Sequence, residues 1–225
     1  MNSIESIGHE LAMNWGSPQI LVLSNTRFTP AEFVFLKEML TPVERSKRER
    51  FRFTRDRDSY TAVHGLLRYI LGNYFERPPL AVGITYSAYG KPSVSEEGRN
   101  MFFNLSHSGE VSVLAFDPVH EIGVDVEEIK PDFEYRPIID AFFTNEDIRN
   151  ITASEGSSLR GFYKTWTRKE ALLKAIGTGI GERLDIGVSE PVSSGFSLNT
   201  IMFGDCYVIT TATGPGSGAV KTVVK

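Results

Sequence analysis

The chain has 225 residues, 41% of them hydrophobic and 23% charged, with a formal net charge of −4 and a pI near 5.7. That is ordinary globular composition, long enough for one large domain or two small ones sharing a core. A mildly acidic chain argues against general nucleic-acid binding. No apolar run approaches the roughly 20 residues that cross a bilayer, so no membrane association is expected. Residues 1–24 lack a basic start followed by an apolar run, so a secretory signal is not expected and a soluble cytoplasmic protein is. The one cysteine, Cys206, excludes an internal disulfide; beside Tyr207-Val208-Ile209 it is expected in a strand, as a buried structural thiol.

In chain order, Gln19 to Ser24 reads as a first strand. Pro30 to Leu40 has helical spacing, with Thr29 as N-cap and Pro30 at N1. Residues 41–57 form a basic tract in which Arg45, Lys47, Arg48, Arg50, Arg52, Arg55 and Arg57 outnumber Glu44, Glu49 and Asp56. A long helix is expected over Ser59 to Phe75, with Val63, Leu66, Leu67, Ile70 and Leu71 on one side. From Val82 onward strands and turns are expected: Ile84-Thr85-Tyr86, the turn Tyr89-Gly90-Lys91-Pro92, Phe102 to Leu105, Val111 to Phe116 and Ile122 to Glu127. Helices are then expected over Pro137 to Phe143, Asn145 to Ser154 and Ser158 to Ile176, the last ended by the glycines at 177, 179 and 181. Val188, Phe196, Ile201, Cys206 to Thr211 and Val220 to Val224 read as further strands. Each half therefore runs strand, helices, strands. The fold class expected is α+β, a duplicated α/β unit with pseudo-two-fold symmetry and the active site between the halves. The halves are residues 1–117 and 118–225.

Two segments carry candidate chemistry. Along the strand Ile122 to Glu127, side chains alternate faces, so Ile122, Val124 and Val126 face a core while Gly123, Asp125 and Glu127 face the other way. Asp125 and Glu127 are then about 7 Å apart at Cα, and like charges so placed repel unless a cation sits between them. Carboxylate oxygens are hard ligands and select magnesium or a similar ion over zinc. Alone, such a pair is a weak signal and better fits an acidic solvated strand face. On the helix, Trp166, Glu170 and Lys174 share a face at i, i+4 and i+8. Glu170 supplies a third oxygen ligand and Lys174 a cation for a phosphate. Alone, that pair better fits an ordinary surface Glu–Lys pair.

Taken together, Gly90-Lys91-Pro92, Asn104-Leu105-Ser106-His107-Ser108, Gly123-Val124-Asp125-Val126-Glu127 and Trp166-Thr167-Arg168-Lys169-Glu170-Ala171 with Lys174 resemble, in order and separation, the 4′-phosphopantetheinyl transferase superfamily. Length and the presence of both halves in one chain are similar to its surfactin-synthetase-activating (Sfp) type. The resemblance covers about residues 41–182. It implies transfer of the 4′-phosphopantetheine group from coenzyme A to a serine of an acyl or peptidyl carrier protein, with release of adenosine 3′,5′-bisphosphate. It implies a magnesium site at Asp125, Glu127 and Glu170, in which manganese could substitute, and a phosphate contact at Lys174. Ser106 and His107 match coenzyme A phosphate positions, His107 at the 3′-phosphate. Tyr89, Gly90, Lys91 and Pro92 match the loop against the adenine. The basic tract matches loosely the place of 3′-phosphate cations; Arg48 and Arg55 are the candidates chosen there. Glu170 is the first candidate for activating the serine and Glu127 the second. A single-chain pseudodimer implies a monomer.

The carrier needs a partly apolar docking face with some cations. Tyr135 to Phe143 is the candidate, with Phe142 and Phe143 themselves expected in the core. Two other readings use the same residues: a magnesium-dependent phosphohydrolase, with water replacing serine, and a non-catalytic coenzyme A or carrier-binding module.

Overall fold

The computed structural model describes residues 3–24, 27–96, 98–153, 157–178 and 195–225. The expected strand at Val188 and the glycines at 179 and 181 lie outside the described residues.

The fold is mixed α+β. The helices are α1 (Ile4–Ala12), α2 (Pro30–Glu38), α3 (Pro42–Glu49), α4 (Thr54–Phe75), α5 (Arg136–Phe142), α6 (Asn145–Ala153) and α7 (Ser158–Ile176). The strands are β1 (Gln19–Ser24), β2 (Thr85–Tyr86), β3 (Pro92–Glu96), β4 (Arg99–Ser108), β5 (Val111–Asp117), β6 (Ile122–Glu128), β7 (Ser197–Phe203), β8 (Tyr207–Thr213) and β9 (Lys221–Val224). Sequence reasoning did not foresee α1, and it read α3 only as a charged tract. The start of α3 follows from local chemistry: Thr41 caps Glu44 N–H, Glu44 reaches back to Thr41 N–H, and Pro42 sits at N1. Thr29, Pro30 and Glu32 open α2 in the same way.

The duplication is visible in the topology. The first sheet has the order β2-β3-β4-β5-β1-β9 and the second β6-β8-β7. In each unit a strand leads through helices to an antiparallel hairpin, and the second hairpin strand pairs antiparallel with the opening strand. Thus β4-β5-β1 corresponds to β7-β8-β6, and α4 corresponds to α7. The last strand, β9, returns to pair in parallel with β1.

Strand alternation sorts the packing. Leu21, Leu23, Phe103, Leu114 and Phe116 bury one face of the first sheet against Leu66, Leu67, Ile70 and Leu71 of α4. Each such side chain contributes about 1.5–3 kcal/mol on burial. The other face presents Ile20, Val22, Val113 and Ala115 to Ile122, Val124, Val126 and Ile209 of the second sheet. Ala171 and Ala175 of α7 pack on Ala212 beyond it. The order across the molecule is α4, first sheet, second sheet, α7.

Polar side chains fasten β4 to β6. Asn104 Oδ1 accepts Val124 N–H at 3.1 Å, Ser106 Oγ accepts Val126 N–H at 3.3 Å, and Ser108 Oγ accepts Glu128 N–H at 3.1 Å. Side chains two residues apart therefore stand in for a paired strand.

A buried ion pair fixes α6 to α7. Lys169 Nζ lies 2.8 Å from Asp147 Oδ2, with the two side chains 1% and 0% exposed. Burial raises the Asp147 carboxyl, but the bonds from Lys169 and Thr144 outweigh it and leave the group below its usual range. Lys169→Met strands Asp147 without its counter-charge and is expected to destabilise the fold by about 3–5 kcal/mol, read from urea unfolding.

Two local expectations are corrected. Cys206 is exposed, because it sits in the turn before β8 rather than within the strand. Phe142 is 44% exposed, because the short α5 turns it outward, whereas Phe143 is half-buried and stacks on Phe162 and Trp166 at the edge of the core.

Candidate active site

The site forms where α7 crosses β6. Gly123 makes the crossing possible: a Cβ there would fall inside van der Waals contact of the Ala171 carbonyl oxygen and the Ala175 nitrogen. With Gly123, Asp125 and Glu127 facing α7, the strand and helix bring Glu170 and Lys174 beside the two strand carboxylates, as alternation and helical spacing require.

Lys174 Nζ donates to Asp125 Oδ1 at 2.7 Å and to Ser106 Oγ at 3.1 Å. Ser106 Oγ also donates to Asp125 Oδ1 at 2.9 Å. Ser108 Oγ donates to Glu127 Oε2 at 2.9 Å. Ser106 and Ser108 therefore act twice, holding β6 by its backbone and its carboxylates by their oxygens.

The electrostatics are those of an excess of negative charge. Burial raises Asp125 above the usual carboxylate range, against the pull of Lys174. Burial and then the Asp125 charge raise Glu127. Burial and Asp125 push Glu170 up to about 7, with Lys174 opposing and Glu127 adding. Asp125 Oδ2 is buried and has no hydrogen-bond partner. Among the described residues, no three His, Cys, Asp or Glu side chains are grouped as ready metal ligands. The donor set nevertheless fits a hard divalent cation: three carboxylates that raise one another and one buried oxygen without a partner.

Beside this cluster, over the end of β4, lies a cleft of about 920 Å³. Ser106, His107, Lys47, Arg55, Tyr60 and His64 line part of it. His64 stacks on Tyr60 with ring centroids 4.0 Å apart, and Lys47 Nζ lies 5.5 Å above the Tyr60 ring. Burial pushes the His64 imidazole down to about 4. Between pH 6.5 and about 4 the unfolded chain then holds a proton here that the folded chain does not, so this residue's contribution to stability falls as pH drops through that window. The gap between native and His64→Gln unfolding midpoints is expected to differ between pH 7 and pH 5, with the native protein losing more.

The other predicted residues are placed as follows. Arg55 is in the cleft wall. The Arg48 guanidinium is bound to Thr61 at 2.7 Å, to Glu49 at 2.6 Å and to Asp58 at 3.8 Å, and it does not line the cleft. Tyr89 is 65% exposed, and Gly90 takes φ 81°, which only glycine adopts freely. Lys91 donates to the Ala175 carbonyl and to Glu121, tying the turn to the end of α7. Burial pulls the Lys91 ammonium below its ordinary range despite Glu121. Pro92 opens β3. Lys47, Tyr60 and His64 were not foreseen. Lys47 was one cation among seven in its tract, and the i, i+4 spacing of Tyr60 and His64 was the only available sign of a shared face.

Two family models match adjoining segments: "4′-phosphopantetheinyl transferase, N-terminal" over residues 27–119 and "4′-phosphopantetheinyl transferase superfamily" over residues 121–211. The chain belongs to the 4′-phosphopantetheinyl transferase superfamily. It is 32% identical to the putative 4′-phosphopantetheinyl transferase slr0495 of Synechocystis sp., over 65% of this chain and 61% of that protein. It is 31% identical to the 4′-phosphopantetheinyl transferase HetI of Nostoc sp., over 68% of this chain and 66% of that protein. It is 30% identical to the L-aminoadipate-semialdehyde dehydrogenase-phosphopantetheinyl transferase of Rattus norvegicus, over 72% of this chain and 57% of that protein. The chain thus spans less than two thirds of the length of these curated relatives. Among the described residues no helix is long and apolar enough to cross a membrane.

Proposed function

We propose that this chain transfers the 4′-phosphopantetheine group of coenzyme A to the serine hydroxyl of an acyl or peptidyl carrier protein and releases adenosine 3′,5′-bisphosphate. The observation that carries the reading is the pairing of Lys174 with Asp125 beside Glu127 and Glu170, joined through Ser106 to a cleft that holds His107. Family membership and the names of the relatives support it.

Asp125, Glu127 and Glu170 would hold magnesium, or manganese in its place. Bound there, the ion would neutralise pyrophosphate oxygens and the charge that develops on the leaving phosphate. Lys174 meets the same phosphates and stabilises that charge where little water competes. Glu170, held up to about 7, accepts the proton of the attacking serine; Glu127 is the second choice for this role. The bond broken joins the β-phosphorus to the oxygen bridging to the α-phosphate, and the bond formed joins the β-phosphorus to the serine oxygen.

Ser106 orients Asp125 and Lys174 next to the coenzyme A phosphates. His107 and Arg55, with Lys47, face the 3′-phosphate, and Arg48 serves it through the wall it braces. The turn Tyr89-Gly90-Lys91-Pro92 takes the adenine. The carrier docks on the α5 side, where Phe142 is exposed. The two duplicated units, residues 1–117 and 118–225, close the site between them, as in the Sfp type, and the chain works as a monomer in the cytoplasm.

The primary test is the intact mass of an apo carrier after incubation with coenzyme A and magnesium; a gain of one phosphopantetheine supports transfer, and an unchanged mass opposes it. His107→Ala is expected to raise KM for coenzyme A by about tenfold, the value of a charge-assisted hydrogen bond. KM for 3′-dephospho-coenzyme A should change little. Equal effects on both would remove His107 from the 3′-phosphate.

A further inference from the structure

Helix α3 stands on α4 without an apolar face of its own. It buries none of its residues, and Val43 is 79% exposed. Apolar packing therefore does not place it; two arginine contacts do. At its start, Arg68 Nε of α4 donates to Glu44 Oε2 at 2.5 Å, with the two side chains 8% and 13% exposed. Arg68 also donates to the carbonyls of Pro79 and Val82 at 3.2 and 3.4 Å, which anchors the guanidinium in the body of the first unit. One turn along α3, Arg48 Nε donates to Thr61 Oγ1 at 2.7 Å. Thr61 and Arg68 are about two helical turns apart on α4, or about 10 Å. A helix held at one point can pivot; held at two points this far apart it cannot.

The cations of α3 are divided by these contacts. Arg45 bonds back to the carbonyls of Leu40 and Glu38, and Arg48 is taken by Thr61. Lys47 lines the cleft, with its Nζ 5.5 Å from the centre of the Tyr60 ring. Tyr60, His64 and Arg68 lie at i, i+4 and i+8 along one face of α4. The stripe that clamps Glu44 therefore also carries the ring that Lys47 rests on. Glu44 Oε2 accepts Thr41 N–H and the Thr41 hydroxyl as well, each at 2.8 Å. Burial raises the Glu44 carboxyl, but the bonds from Arg68 and Thr41 outweigh it and leave the group below its usual range, ionised at neutral pH.

We propose that Glu44 and Arg68 are positioning residues for Lys47: their ion pair clamps the start of α3 to α4, so that the Lys47 ammonium is held in the cleft against the 3′-phosphate. With that clamp weakened, α3 pivots on Arg48, and the neighbouring Lys47 leaves its place over Tyr60.

The inference rests on the assignment of Lys47 to the 3′-phosphate made above, and its test reads nucleotide binding and helix docking apart from transfer. Glu44→Gln keeps the capping box, because glutamine also serves at N3, and weakens the bond to Arg68. By calorimetry it is expected to weaken binding of adenosine 3′,5′-bisphosphate about threefold or more, with adenosine 5′-monophosphate nearly unchanged. Arg68→Lys, which keeps the charge but loses the planar fork, should act in the same direction. Lys47→Ala should weaken the bisphosphate about tenfold. In the Lys47→Ala background, Glu44→Gln should add little, whereas a role in general stability alone would add the same loss in both backgrounds. Amide hydrogen exchange over residues 42–49 reads the clamp directly. It should quicken in Glu44→Gln while α7 stays as protected as in the native protein.

Full additivity of Glu44→Gln with Lys47→Ala, unchanged bisphosphate affinity in Glu44→Gln, or unchanged exchange over 42–49 would overturn the inference. A native protein that bound the bisphosphate no better than the monophosphate would also overturn it, by removing the phosphate from Lys47. A native protein that distinguished the two nucleotides but modified no carrier would count against the transfer reading alone, and the binding and exchange results would still decide the role of Glu44 and Arg68.

Discussion

Asp125→Ala is expected to abolish magnesium-dependent transfer, with kcat falling about a hundredfold or more, since both a cation ligand and the partner of Lys174 are lost. Asp125→Asn sharpens the point, because it keeps the shape and removes the charge. Burial raises the native carboxyl, so its ionised form opposes folding at neutral pH. The amide carries no such penalty, and Asp125→Asn should therefore unfold at the same temperature as the native protein or a higher one, while remaining inactive. A residue that harms stability and is needed for turnover is the expected signature of a functional group. Measuring kcat and the thermal midpoint on the same preparation checks both halves. Normal turnover by either variant would remove Asp125 from the cation site.

Gly123→Ala is expected to have the other large effect. The added Cβ meets backbone atoms of α7, at Ala171 and Ala175, and backbone cannot swing aside as a side chain can. Either the helix lifts from β6 or the strand bends. Overpacking of this kind costs about 1–3 kcal/mol, and more where only backbone can yield. Lifting α7 also carries Glu170 and Lys174 away from Asp125, and a displacement of about 1 Å in a catalytic constellation costs roughly a hundredfold in rate. Unfolding midpoint and kcat should fall together. A Gly123→Ala protein with native stability and native turnover would show that the helix-to-strand approach is not what builds the site.

Much of this site was legible because both of its segments are regular. Period-two alternation assigns Asp125 and Glu127 to one face of a strand whatever surrounds it, and period 3.6 does the same for Trp166, Glu170 and Lys174. The helix Ser158–Ile176 and its end at Gly177, which takes φ 78°, follow from the same spacing and from glycine's freedom. The role of Gly123 needed the partner helix, since nothing local distinguishes a close approach from a turn.

The second job of the serines was hidden for a related reason. Asn104, Ser106 and Ser108 read as a polar strand end, and only the facing backbone of β6 shows that they replace a paired strand. In the basic tract, sequence offered seven cations, and the choice of Arg48 and Arg55 among them rested on no unique match. The fold separates them by their partners: Arg48 is held by Thr61 and Asp58, whereas Lys47 and Arg55 open onto the cleft. Cys206 was misplaced by one residue's worth of context, since strands begin where turns end and that boundary is set by pairing, not by composition.

The central claim is transfer to a protein serine rather than hydrolysis of coenzyme A. Native chain, coenzyme A, magnesium and an apo carrier should yield one adenosine 3′,5′-bisphosphate for each carrier that becomes heavier by one phosphopantetheine, followed by intact-mass spectrometry and nucleotide chromatography on the same samples. Accumulation of free phosphopantetheine with no change in carrier mass would contradict it.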